Sequence, residues 1–280
     1  MGNRECSFTV VTGRKRIGKS NHTLELCLEY AQRRNVLIFD PNNEFGGYDL
    51  YYPDGSVKKI EIKRLDISQL DQFNRLKKPE IRRIVCLDKF GKPLDENQVE
   101  NLLKRVLAEF NNFLLFLDDF NNIFADSLPK SVSRFLSNNA HRAADIILHL
   151  QSIARILPKM WQNTNLVRFH FQLDGVENSK QKLMESYELF KIAQNLVNKQ
   201  YMSGNIRYFI YVDKDNGKLR GKFSPGMLIE AIQEYISQHT QCIKPLTDQR
   251  DIQTGKKKYT YNQAVELKTA ELYHKYQGNK

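Results

Sequence analysis

Residues 7–20 read SFTVVTGRKRIGKS, and this stretch decides the fold of the chain. An apolar run rich in β-branched residues leads into the pattern G-x-x-x-x-G-K-S, and an amphipathic helical pattern follows at once. Glycine lets the backbone wrap closely around phosphate oxygens, and a helix N-terminus presents N–H groups to the same anion. The stretch therefore predicts a strand, a phosphate-binding loop and a helix, in that order.

Eight residues form the candidate loop: Gly13, Arg14, Lys15, Arg16, Ile17, Gly18, Lys19 and Ser20. In such a loop the lysine, here Lys19, reaches the β- and γ-phosphates of a nucleotide, and the hydroxyl of Ser20 holds Mg²⁺. The alternative interpretation is a glycine turn that only caps an ordinary helix.

The composition is that of a globular protein, with 280 residues, 41% hydrophobic and 27% charged. This length suits one α/β domain with additions, or two small domains. No apolar run reaches the roughly 20 residues of a membrane helix, and the N-terminus does not look like a signal peptide, so we expect a cytoplasmic protein. The four cysteines are scattered, which favours free thiols over disulfides or a zinc site.

The net charge is +11 and the isoelectric point is near 9.4. A net positive charge of this size favours a polyanionic partner, either nucleic acid or an acidic membrane surface. A merely lysine-rich solvated surface is the alternative.

Strand patterns alternate with helix patterns, and several strands are continuously apolar. This indicates an α/β fold with a mostly parallel sheet covered by helices on both faces. We expect a phosphate-loop (P-loop) domain over residues 1–240, with a peripheral insertion at 48–80, and a basic C-terminal tail at 241–280 with one weak helix. The patterns also predict an edge strand over 57–62, helices over 153–161 and 179–201, and a hairpin turn at Asp215–Gly217.

Polar residues follow the predicted parallel strands at Asp40, at Asp118-Asp119 and at Gln151, and a further strand carries Arg168. Ligands bind beyond the carboxyl ends of such strands, so these groups are expected near the phosphate loop.

We expect Asp118 to hold Mg²⁺ through a water molecule, opposite Ser20. An adjacent acid orients or deprotonates the attacking water, with Asp119 as the first candidate and Glu44 as the second. Gln151 is a candidate to hydrogen-bond the γ-phosphate or that water. The alternatives are a solvated loop acid for Glu44 and an ordinary polar strand end for Gln151.

Three short motifs beyond the loop carry a family resemblance. Residues 40–45 (DPNNEF) resemble the D-P-x-x-E-aromatic segment of HerA–FtsK-type ATPases. Residues 142–151 (RAADIILHLQ) resemble the R-A-x-G-I run of that superfamily with its closing glutamine, and residues 167–171 (VRFHF) resemble the strand that follows it. The resemblance covers roughly residues 6–190.

The resemblance implies a RecA-like core that binds ATP and Mg²⁺ in a homo-oligomeric ring, commonly a hexamer, and moves double-stranded DNA through its centre. It also implies an arginine from a neighbouring subunit at the nucleotide, a role that falls to Arg142, with Arg168 as the second candidate. The alternative for Arg142 is a surface helix residue.

Two features depart from the family pattern. The usual Asp-Glu pair is Asp118-Asp119 here, and aspartate is one methylene, or about 1.5 Å, shorter. Either the water is held differently, or Glu44 is the working base, or hydrolysis is slow. Residues 14–16 (RKR) stand where small residues are usual.

The resemblance is strongest to the genome-packaging ATPases of membrane-containing phages and viruses, which dock at a capsid vertex or a viral membrane protein. The Zot-like assembly ATPases of filamentous phages and conjugation-type ATPases are an alternative, although the Zot-like group usually carries a membrane anchor that we do not find here. A nucleotide-binding switch with little turnover is the alternative of a different class.

Overall fold

The computed structural model describes residues 6–109, 111–120, 130–137 and 143–278. It divides the chain into two compact units, which meet in sequence between Leu166 and Val167.

The first unit is built on a parallel sheet of five strands in the order β1-β7-β6-β2-β5. The sheet strands are β1 (Phe8–Thr12), β2 (Val36–Asp40), β5 (Ile81–Val85), β6 (Leu114–Leu117) and β7 (Asp145–Leu150), and β3 (Tyr48–Tyr51) with β4 (Val57–Ile60) forms a separate antiparallel hairpin. The helices are α1 (Lys19–Tyr30), α2 (Leu70–Asn74), α3 (Glu96–Glu109), α4 (Lys130–Ser137) and α5 (Pro158–Asn163). Every residue of β1, β2, β6 and β7 is buried, which confirms the expectation drawn from their continuous apolar runs.

The register of the sheet brings the polar strand ends to one edge. Thr12 pairs with Leu150, and Leu117 pairs with both Phe39 and Leu148. The phosphate loop and the residues after β6 and β7 therefore leave the sheet side by side.

One apolar cluster fixes α1 against the sheet. Leu24 and Cys27 of the helix are fully buried, and they share this cluster with Val11, Ile38 and Phe116 of the strands. A buried Leu or Phe of this kind contributes about 2–5 kcal/mol by truncation data. The helix that begins with Lys19 and Ser20 is thus held rigidly below the loop.

The second unit contains three strands and five helices among its described residues. They are β8 (Leu166–His170, of which all but the first residue belong to this unit), α6 (Lys180–Leu183), α7 (Tyr187–Met202), β9 (Phe209–Asp213), β10 (Lys218–Arg220), α8 (Pro225–Gln238), α9 (Lys244–Thr247) and α10 (Tyr261–Tyr276). The predicted hairpin is confirmed, because β9 and β10 pair antiparallel around a turn in which Gly217 has a φ of 61°.

Residues of the basic C-terminal segment pack on this second unit. Helix α10 lies against α8, and Lys275 and the hydroxyl of Tyr276 both bond to the Glu188 carboxylate of α7. Gly278 also donates its N–H to the Leu219 carbonyl at 3.0 Å. The predicted domain boundary at residue 240 stays a prediction.

Three predicted elements have different bounds in the structure. The edge strand ends at Ile60 rather than 62. The helix predicted over 179–201 is interrupted after Leu183, because Met184 takes a φ of 45° that no helix continues. The helix predicted over 153–161 is a short 3-10 turn followed by α5, which starts at Pro158 since proline suits a first helical position.

The four cysteines are free thiols, as the scattered spacing predicted. Within the part of the chain that the structure describes, no helix is both long enough and apolar enough to cross a bilayer.

Candidate active site

The phosphate loop has the backbone that its glycines predict. Gly13 and Gly18 have φ angles of 150° and 86°, in the region that favours glycine. Arg16 also has a positive φ, 65°, although it is not glycine. Helix α1 starts directly after Gly18 with no side-chain cap, so its N-terminus faces the loop with its dipole and N–H groups.

Lys19 is folded back over the loop. Its Nζ donates to the carbonyl oxygens of Gly13 and Arg14 at 2.6 and 2.7 Å. These two bonds hold the ammonium group against the loop, which binds phosphate oxygens in proteins with this motif.

A cavity of about 350 Å³ opens at this edge of the sheet. Its lining combines loop cations with carboxylates from two other segments: Lys15, Arg16, Gly18, Lys19, Ser20, Glu44, Tyr48, Asp118, Asp119 and His149. The structure therefore brings together Lys19, Ser20, Glu44, Asp118 and Asp119, the first and last of which lie 100 positions apart in the sequence.

Asp118 follows β6 and is only 5% exposed. Burial raises the pKa of its carboxyl group to about 6, while the Asp119 N–H and the charge of Lys19 act in the opposite direction. Its Oδ1 atom lies 2.8 Å from Nδ1 of His149. A buried acid that lines the same cavity as Ser20 fits the position of the Mg²⁺-binding acid in phosphate-loop proteins.

Asp119 is held by the neighbouring loop. Its Oδ2 accepts a bond of 2.8 Å from Nδ2 of Asn42, and its backbone has a φ of 45°. A positive φ at a residue other than glycine costs on the order of 1 kcal/mol, and such conformations recur at functional sites.

Asp40 has a structural role, although the sequence placed it with the nucleotide-facing groups. It is fully buried and accepts the N–H groups of Glu44 and Phe45 at 2.8 and 3.1 Å and Nη1 of Arg83 at 3.0 Å. These bonds shape the loop that follows β2 and thereby place Glu44 at the cavity.

Glu44 is exposed and lines the cavity. Its pKa is raised, first by partial burial and then by the negative charges of Asp118, Asp119 and Asp40, whereas Lys15 lowers it. A carboxylate with a raised pKa is a stronger base, so Glu44 has the electrostatic setting of a group that takes a proton from water.

The other predicted site residues have different outcomes. Gln151 directly follows β7, beside the phosphate loop, but it does not line the cavity. Arg142 lies outside the described residues. Arg168 lies on β8 in the second unit, 2% exposed, with its guanidinium 5.5 Å from the Phe209 ring centre.

Sequence reasoning missed two residues of the cavity lining, His149 and Tyr48. His149 stands two residues before Gln151 in the strand, so the twofold alternation of a strand puts the two side chains on one face. A histidine inside an otherwise apolar strand is the signal that marks it. Tyr48 gave no such signal, because it lies on the separate β3–β4 hairpin.

Among the described residues, no cluster of three or more His, Cys, Asp or Glu side chains forms a cage for a metal ion. Phosphate-loop proteins do not need one, since Mg²⁺ there takes one or two protein oxygens and completes its shell with water and nucleotide phosphates. The hydroxyl of Ser20 and the carboxylate of Asp118 in one cavity fit that pattern.

Comparison with known proteins gives a family match. The sequence profile of the family described as Zonular occludens toxin (Zot) matches residues 9–214. No curated protein matches the sequence significantly.

The chain is also similar to solved structures of a viral protein. One is the genome packaging NTPase B204 from Sulfolobus turreted icosahedral virus 2 in complex with ATP-gammaS, with 15% identity, a TM-score of 0.46, and coverage of 79% of this chain and 97% of that chain. Another is B204, the DNA-packaging ATPase from Sulfolobus Turreted Icosahedral Virus, with 17% identity, a TM-score of 0.47, and coverage of 78% and 98%.

Proposed function

The chain belongs to the Zot family of P-loop ATPases, and we propose that it is an ATP-driven DNA translocase that acts on a phage or viral genome. The observation that carries the proposal is the cavity in which the phosphate loop, Ser20, Asp118, Asp119 and Glu44 meet. Together they supply an anion cradle, two oxygen ligands for a cation and two acids that can act on water.

Each group has a role in hydrolysis. The loop N–H groups and Lys19 would bind the phosphates of ATP. Ser20 would hold Mg²⁺ directly, and Asp118 would hold it through a water molecule. When bound, Mg²⁺ neutralises charge that develops on the phosphates. Glu44 or Asp119 orients the attacking water and accepts its proton.

A partner subunit completes the site in this proposal. We place Arg142 of a neighbouring copy at the γ-phosphate, in a homo-oligomeric ring, commonly a hexamer, and Gln151 beside the attacking water. An arginine supplied in this way is worth about 10³–10⁵ in turnover rate in related chemistry. Hydrolysis would then depend on ring assembly.

The DNA part of the proposal rests on charge and on the family resemblance. A net charge of +11 favours binding to DNA through its phosphates, without reading the base sequence. We therefore expect the affinity for DNA to fall steeply as salt is raised from about 50 to 200 mM. A salt-independent affinity would count against translocation.

The test is phosphate release measured with and without duplex DNA. We expect strong stimulation by DNA in the wild type and its loss in Lys19→Ala. Lys77→Ala is the matched control, because Lys77 is an exposed lysine outside the cavity lining. Tight ATP binding with no turnover under any condition would replace the motor with a nucleotide-dependent switch.

The family match also favours a second candidate in the same motor class, the Zot-like assembly ATPases of filamentous phages. The packaging role as proposed here acts on double-stranded DNA. Stimulation by single-stranded DNA in preference to duplex DNA would favour the assembly role, and co-purification with a capsid vertex or viral membrane protein would favour packaging.

A further inference from the structure

A buried chain of three polar side chains runs below the cavity. Nδ1 of His149 lies 2.8 Å from Oδ1 of Asp118, and Nε2 of the same ring lies 2.7 Å from Oγ1 of Thr23. Thr23 and His149 are 0% and 2% exposed. These hydrogen-bonded side chains join the end of β6 to helix α1 through the ring of His149, which lies on β7.

The chemistry of the partners assigns the ring protons. An ionised carboxylate only accepts hydrogen bonds, so Nδ1–H of His149 donates to Asp118. Nε2 then carries the lone pair and accepts from the Thr23 hydroxyl. The ring plane is fixed by packing, since its centre lies 4.5 Å from that of Phe116.

Thr23 lies one helical turn beyond Lys19 and Ser20 on α1. A shift of the Asp118 carboxylate relative to the Ser20 hydroxyl would therefore break one of the two bonds of His149. Groups that orient metal-binding carboxylates in this way typically contribute 10–100-fold to metal affinity or activity.

We infer that His149 is a positioning residue, which holds the Asp118 carboxylate in register with Ser20 through Thr23 so that both oxygens face one Mg²⁺–nucleotide complex. The inference rests on the proposed function, because it takes Asp118 and Ser20 as the two groups that hold Mg²⁺.

The experiment measures the affinity of a fluorescent ATP analogue with excess MgCl₂ and in EDTA, without DNA. The dissociation constant in EDTA divided by that in MgCl₂ is the factor by which Mg²⁺ raises the affinity. We call this factor the Mg²⁺ gain. In His149→Phe, which keeps ring volume and removes both bonds, we expect this gain to fall by about 10-fold or more, with affinity in EDTA within about twofold of the wild type. In His149→Asn, whose amide nitrogen can replace Nδ1–H, we expect most of the gain to return.

Two further variants test the link to α1. Thr23→Val removes the hydroxyl at constant shape and should reduce the gain less than His149→Phe, whereas Thr23→Ser should retain it. His170→Phe, at a fully buried histidine on β8 of the second unit, is the control for losing a buried imidazole, and we expect its Mg²⁺ gain to match the wild type.

An unchanged gain in His149→Phe would overturn the inference, and so would equal losses in His149→Phe and His149→Asn, which would indicate packing alone. If His149→Phe does not fold, the inference is tested with Thr23→Val and Thr23→Ser instead. A Mg²⁺ gain in Thr23→Val equal to that of the wild type then overturns it. A wild type with no Mg²⁺ gain also overturns it. Failure of DNA-stimulated hydrolysis would overturn only the translocase, because these binding measurements need neither DNA nor turnover.

Discussion

Two buried aspartates lie at opposite ends of neighbouring strands in the first unit, and their surroundings differ. Asp145 opens β7, is 1% exposed, and accepts from the N–H and hydroxyl of Ser7, from the Tyr30 hydroxyl and from Arg34. Asp118 follows β6, is 5% exposed and lines the cavity; it accepts a bond from Nδ1–H of His149, and its burial still raises its pKa to about 6.

This difference indicates that Asp145, at the amino end of the sheet, stabilises the fold, whereas Asp118, at the carboxyl end, serves the site. Donors surround the carboxylate at the amino end, so its burial costs little and its bonds join β1, β7 and α1. The Asp118 carboxylate at the carboxyl end faces a cavity, and keeping this buried group charged lowers the stability of the ligand-free protein. Such a cost is expected where a charge is kept for a ligand that arrives later.

The largest expected effect concerns the acids at the carboxyl end. Glu44→Gln should reduce single-turnover hydrolysis by about 100-fold or more, because Glu44 has the raised pKa of a base. Asp119→Asn should lose less, about 10-fold, since its carboxylate is already bonded to Asn42. Glu61→Gln, at an exposed glutamate outside the cavity lining, is the control. Equal and mild losses in both site variants would sink both assignments.

The second prediction concerns the amino end. Asp145→Ala leaves Arg34, Tyr30 and Ser7 without their shared acceptor, so we expect the free energy of unfolding in urea to fall by about 3 kcal/mol. Nucleotide affinity of the folded fraction should not change. Asp71→Ala, which breaks an exposed ion pair with Arg75, should cost less than about 1 kcal/mol. A similar small loss for Asp145→Ala would remove the contrast between the two ends.

The third prediction is a gain in the free energy of unfolding, whereas the second is a loss. Because the pKa of Asp118 is raised when the protein folds, its contribution to stability is full below about pH 4 and is lost as the pH rises through about 6. Asp118→Asn should therefore stabilise the nucleotide-free protein at pH 8, by about 3 kcal/mol, and the gain should vanish near pH 4. Thermal unfolding at both pH values measures it. A loss of stability at pH 8 would contradict the proposed cost.

The smallest expected effect concerns the backbone of the phosphate loop. Arg16 has a φ of 65°, which glycine adopts without strain, so Arg16→Gly should stabilise the protein by about 1 kcal/mol. Arg14→Gly is the matched control: Arg14 is not among the residues with positive φ, so glycine there should be neutral or destabilising. Equal effects of the two changes on the free energy of unfolding would show that strain at Arg16 is not the cause.

The phosphate loop, the parallel strands and the acids after them could be predicted because each is a local pattern. A buried parallel strand needs a continuous apolar run, and a phosphate loop needs glycines at a set spacing before a helix. The strand bounds of β1, β2, β6 and β7 follow from such runs, and so does the edge at which Asp118 and Gln151 lie.

The bounds of the elements within residues 48–60 and 179–187 were harder to predict, because the apolar pattern there does not show where a turn interrupts the strand or the helix. A single positive φ at Met184 divides one predicted helix into two, and apolar spacing does not reveal it. The role of Asp40 was also hidden, since its partner Arg83 lies on β5, 43 positions away.

The sequence by itself determined that this chain folds around a phosphate loop at the carboxyl edge of a parallel sheet, because strand burial, glycine conformation and helix start are properties of short segments. Only the tertiary structure decided which acid stabilises the fold and which faces the cavity. Burial and hydrogen-bond partners come from residues far apart in the chain. Asp40 and Asp118 both stand at the end of a buried parallel strand and look alike in sequence, and only their neighbours in space separate them.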